Sequence, residues 1–193
     1  MTRRENRRGR RGPQLEERQQ VLIVCGGEVT EPSYFRGLKK AARNPALRID
    51  VRGRGEAPIS LVQYTARVAE NETYDRAWCV VDVDDFDLES VVALARDRGI
   101  GLAVSNPCFE YWLLLHFVAC VRPMASFAHV VPQLRAHVPN YGKSRGEFRF
   151  EMYEPGIHAA ISRAKARTPD HLNAWRLNPA TGVWQLVEDL LNG

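Results

Sequence analysis

From residue 21 onward the chain alternates between short apolar runs and longer stretches whose apolar positions recur every three or four residues. VLIVCGG (residues 21–27) is a continuous apolar run closed by glycines, the pattern of a strand buried on both faces. TEPSYFRGLKKAARN then has helix-start chemistry, with Thr30 placed to cap, Pro32 in the first turn, and Tyr34, Phe35, Leu38 and Ala41 on one side. LRIDVRG (47–53) alternates as a strand, and SLVQYTARVAENE reads as a helix capped by Ser60. RAWCVVDV is the next strand, LESVVALARDRG the next helix, and IGLAVS a further strand; CFEYWLLLHFVA is an apolar helix opened by Asn106-Pro107. Strands alternating with helices at this spacing predict an α/β fold: a compact, mostly parallel sheet with helices on both faces. HAAISRAKAR and the amphipathic end of NPATGVWQLVEDLL add a small helical C-terminal extension.

In such sheets ligands bind beyond the carboxyl ends of the strands. Gly26-Gly27-Glu28, Asp82 to Asp85, and Ser105-Asn106 all fall there. The second group is the unusual one, because WCVVDVDDFD crowds Asp82, Asp84, Asp85 and Asp87 together, where mutual repulsion costs stability. A loop cap needs one of them, and Asp87 suits the helix that starts at Leu88. Asp82 and Asp84 are two apart, so in an extended chain both point the same way and can face one cation. Mg²⁺ characteristically takes one or two protein carboxylates and keeps waters for substrate phosphates.

Charge is unevenly placed. The net charge is +4, and residues 1–20 hold seven Arg against three Glu, which leaves residues 21–193 with 27 − 7 = 20 basic and 23 − 3 = 20 acidic residues. Residues 1–20 are expected to form a disordered arm ahead of one domain at 21–193, either merely solvated or drawn to phosphates. The start has no apolar core of a secretory signal, and no apolar run reaches the roughly 18 residues of a membrane span. Cys25, Cys79, Cys108 and Cys120 lie in apolar runs without paired spacing, which reads as reduced core cysteine and a cytoplasmic protein.

Other candidates carry two readings each. Glu28 and Glu31 flank the turn after the first strand: either completes a metal site or acts as a base, or Glu31 simply favours the positive end of the next helix. Glu110 lies in the first turn of the apolar helix, where the helix dipole also favours it, and His116 near its far end is a packed histidine or a ligand. Lys143 and Arg145, interleaved with Tyr141, Phe148 and Phe150, suit phosphate gripping and base stacking, or a surface flap. No Walker-type loop, no G-x-G-x-x-G and no nucleophilic triad is present.

VLIVCGGEVTEPSYFRGL, CVVDVDDF, SNPCFEYWLLLHF, YGK and NPATGVWQLVE, in that order, resemble the RloB-like proteins over most of the chain from Val21. That family is similar to Toprim domains, whose sites use a Glu after the first strand and a D-x-D after a later one to bind Mg²⁺ or Mn²⁺ for phosphodiester chemistry. The resemblance therefore implies a metal-dependent nuclease acting on DNA or RNA in anti-phage defence and restriction, alone or with another defence protein such as an ATPase. It puts Asp82 and Asp84 at the D-x-D positions, with Glu28 and Asp85 as further metal candidates and Lys143 as a catalytic candidate. Where the family more usually reads Cys-Glu-Gly-Glu, this chain has Cys25-Gly26-Gly27-Glu28, so Gly26 stands where the motif carries its Glu. The alternative implied by that departure is a non-catalytic sensor or partner subunit with a degenerate site.

Overall fold

The apolar run that opens the domain is buried along its length because it forms an inner strand covered on both faces. The computed structural model describes residues 19–42, 44, 47–83, 87–142 and 148–192. Strand β1 spans Gln19–Cys25, helix α1 Thr30–Ala42, β2 Leu47–Gly53, α2 Pro58–Asn71, β3 Arg76–Asp82, α3 Leu88–Asp97 and β4 Gly101–Asn106. They are followed by α4 Phe109–Leu115, α5 Phe127–Arg135, α6 Ile157–Arg167, the two-residue strand β5 Ala180–Thr181, and α7 Val183–Asn192. Short 3₁₀ turns lie between α5 and α6 and before β5.

The strand order is β2-β1-β3-β4-β5, with β1 parallel to both β2 and β3, β3 parallel to β4, and β5 antiparallel to β4. Alternate residues of each inner strand feed two cores. Leu22, Val24, Cys79 and Val81 pack under α2 and α3; Val21, Ile23, Trp78 and Val80 pack under α1, α4, α6 and α7. The result is the expected α/β architecture, a mostly parallel five-stranded sheet with helices on both faces and a helical C-terminal extension, consistent with a Rossmann- or Toprim-like fold.

The differences from the sequence reading are local. Gln19 and Gln20 belong to β1, because they pair with Leu47 and Arg48, and the strand ends at Cys25 rather than running into the glycines. Thr30 is the first helical residue of α1 and is buried. Helix α2 starts at Pro58 with Ala57 as its cap residue, and no side chain bonds its free amides, so Ser60 is not the cap. Asp87 does cap α3, its carboxylate accepting from the amides of Glu89 and Ser90. Helix α4 is shorter than its apolar run predicts, since the His116 ring takes the Trp112 carbonyl and the His116 amide turns back to Leu113 instead. Helix α5 and strand β5 were not visible in the pattern. All four cysteines are free, and three are fully buried. Among the described residues no helix is long and apolar enough to cross a membrane.

Candidate functional site

The chain leaves β1 toward β2 on one side and returns past β1 to β3 on the other, so the strand order reverses between β1 and β3. In open parallel sheets a crevice forms beyond the strand ends at such a point. Here it is an open cleft of about 420 Å³, lined by the turn from Gly26 to Glu31, the loop from Gly55 to Pro58 after β2, and Val81-Asp82 at the end of β3. The described residues lining it include four carboxylates, Glu28, Glu31, Glu56 and Asp82, and no lysine, arginine or histidine.

Each carboxylate has its own setting. Glu31, 8% exposed, folds back from α1 so that Oε1 accepts from the Gly27 amide at 3.1 Å. A Cβ on Gly27 would lie inside the van der Waals shell of that carboxylate, so the turn needs glycine there. The same bond fills an amide that a phosphate would otherwise use, so the glycine turn is not an open phosphate cradle. Glu28 is exposed and leans over Gly55, whose φ is +67°; a Cβ on Gly55 would come 2.9 Å from Glu28 Oε1. Glu56 pairs with Arg54, whose guanidinium stacks 4.0 Å from the Tyr64 ring centroid. Gly26 is different: its amide bonds the Val80 carbonyl at 2.8 Å, and the nearest atom to a Cβ there is 3.4 Å away, so a side chain fits.

Behind the cleft lies a second acidic group. Glu110, 1% exposed in the first turn of α4, accepts from the Tyr141 hydroxyl at 2.7 Å, and Thr30 reaches that hydroxyl from the cleft wall. Burial, reinforced by the nearby Glu110 and Asp82 carboxylates, pushes the Cys108 thiol far up. Burial and then Glu31 do the same to Cys25. Both thiols therefore stay protonated and act as apolar packing. Burial and the Glu110 carboxylate likewise raise the Tyr141 phenol, which remains a donor.

The fold thus brings Glu28, Glu31 and Asp82 into one cleft and sets Glu110 behind it. His116 is elsewhere, 5% exposed among Tyr34, Trp112 and Tyr153, with Nε2 3.1 Å from the Tyr34 hydroxyl and Nδ1 3.0 Å from the Trp112 carbonyl. Both ring nitrogens are engaged by protein. Asp84, Asp85, Lys143, Arg145 and the arm at 1–18 lie outside the described residues. Glu56 was missed by sequence reasoning, although the strand-end rule that singled out the loops after β1 and β3 applies equally to the loop after β2.

The RloB-like protein family matches the chain over residues 21–190. The chain belongs to that family. The match spans every described element except the first two residues of β1 and the last two of α7. Neither a curated protein nor a solved structure matches it.

The donors fit a hard divalent cation by type, since they are carboxylates with no competing lysine or arginine among the described lining residues. Among the described residues, however, no three of His, Cys, Asp or Glu are gathered closely enough to form a ready-made metal cage. A cation here would rest on one or two carboxylates with water and substrate oxygens, which is how Mg²⁺ is usually held.

Proposed function

We propose that this RloB-like protein cleaves nucleic-acid phosphodiesters with Mg²⁺ or Mn²⁺ in anti-phage defence. The observation that carries the reading is the acidic cleft at the β1/β3 switch point: four carboxylates and no described cationic side chain at its wall repel a phosphate backbone unless a cation intervenes. Asp82 and Glu28 are the residues to hold that cation, joined by Asp84 and Asp85 from the resemblance. A bound divalent ion supplies neutralisation of the scissile phosphate and a more acidic water. Glu31, held on the Gly27 amide, orients the turn that carries Glu28. Arg54 keeps Glu56 from adding an unbalanced charge, and Lys143, Arg145 and the Arg-rich arm attract the backbone.

The test incubates wild type and Asp82→Ala with supercoiled plasmid, linear DNA and total tRNA, in Mg²⁺, Mn²⁺ or EDTA. Metal-dependent cleavage by wild type alone is expected; a variant as active as wild type would refute the role of Asp82. Removing residues 1–18, which leaves β1 whole, is expected to weaken binding and flatten its salt dependence.

A second reading, a sensor or partner subunit with a degenerate site, is favoured by one observation: position 26 presents no carboxylate to the cleft. Because a side chain fits there, Gly26→Glu separates the two. A large gain in cleavage supports the degenerate-site reading, and an unchanged rate supports the cleft as it stands.

A further inference from the structure

Strand β2 is the outer strand of the sheet, with β1 on one side and no strand on the other. Successive residues of a strand turn their amides and carbonyls to opposite sides, so one alternate set bonds β1 and the other faces outward. An outward row of this kind is a template for another chain. Here two cations of α1 hold it. Lys39 Nζ donates to the Ile49 carbonyl at 2.6 Å, and Arg36 Nη2 donates to the Val51 carbonyl at 3.2 Å. Ile49 and Val51 are two apart and so belong to the same set, which is the outward one because no neighbouring strand uses it. Arg36 and Lys39 are three apart on α1, so both reach the same edge.

We infer that β2 is a latent self-association edge, suited to β2 of a second copy of this chain and kept closed by Arg36 and Lys39. The charge pattern of LRIDVRG identifies the occupant. If Val51 faces Val51 of a second copy in antiparallel register, Asp50 faces that copy's Arg52, and two-fold symmetry makes the pair twice. Shifting the register so that Ile49 faces Ile49 pairs Asp50 with the second copy's Arg48 instead. Only the intermediate register, Asp50 on Asp50, sets like charges opposite. The edge is therefore complementary to itself in two of its three central registers, and the α1 cations withhold its carbonyls. This does not depend on the chemistry of the cleft, which lies at the β1/β3 switch point.

The experiment compares wild type with Arg36→Met/Lys39→Met, which keeps the apolar stems and removes the donors, by sedimentation equilibrium over a range of concentrations. The double variant is expected to double its mass with concentration under conditions where wild type does not. Adding Val51→Pro, which removes an outward amide and leaves the β1 ladder intact, is expected to return it to the wild-type mass. Circular dichroism checks folding, and if the double variant does not fold, Lys39→Met alone is read in the same way. A folded variant that keeps the wild-type mass overturns the inference. So does a dimer that survives Val51→Pro, or a wild type already paired through β2.

Discussion

Lowering the pH should unfold this protein in a window set by His116. Its Nδ1 faces a carbonyl, which can only accept, so Nδ1 carries the proton and Nε2 accepts from the Tyr34 hydroxyl. Burial pushes the imidazole down from 6.5 to about 4, with the nearby Arg163 acting the same way and the Trp112 and Leu113 carbonyls opposing it. The unfolded chain thus binds a proton that the folded chain refuses throughout the interval between these values. The contribution is fully present above the unfolded value and is lost as pH falls toward the folded one. At about 1.4 kcal/mol per unit, the loss between pH 7 and pH 4 comes to about 3 kcal/mol, a large share of the stability of a domain this size. Urea denaturation at a series of pH values reads it directly. His171 is also depressed by burial and contributes a slope of the same sign, so the decisive quantity is the difference from His116→Gln. The variant should show a shallower loss by about 3 kcal/mol between pH 7 and pH 4. Equal slopes, or a His116 imidazole titrating near 6.5 by NMR, would refute the reasoning.

Three further outcomes follow from the same geometry. Gly27→Ala expels the Glu31 carboxylate from the turn and should cost about 2 kcal/mol, the value of a charge-assisted bond, whereas Gly26→Ala should be close to neutral; denaturation curves of the pair check this. Tyr141→Phe removes the Glu110 hydrogen bond in a buried setting and should destabilise by about 2 kcal/mol, more than Glu110→Gln, whose amide oxygen still accepts; the comparison fails if the order is reversed. Asp87→Ala uncaps α3 and should lower the melting temperature while leaving any cleavage at the wild-type level, in contrast to Asp82→Ala, so equal effects of the two on cleavage would contradict the assignment of Asp87 as a cap.

Much of the frame was legible in the chain alone, because its signals are local. β1, β2, β3 and β4 announce themselves by apolar runs or alternation, and α1, α3 and α6 by helical spacing with caps such as Asp87. A parallel sheet then followed from the order of elements, and the strand-end rule placed Glu28 and Asp82 at a site. What the sequence could not carry was decided by contacts between distant residues. β5 is two residues long and exists only because Ala180 and Thr181 find Asn106 and Ser105. Two carboxylates of similar appearance, Glu28 and Glu31, diverge because one leans on a glycine brought in by β2 while the other closes onto its own turn. Glu56 enters the cleft only once β2 lies beside β1, and His116 leaves the candidate list only once Tyr34 and Tyr153 enclose it. Periodicity reports which way a side chain faces within its own element. Which other element it meets, and therefore whether a charge is capped, paired or presented to a ligand, is a property of the packed whole.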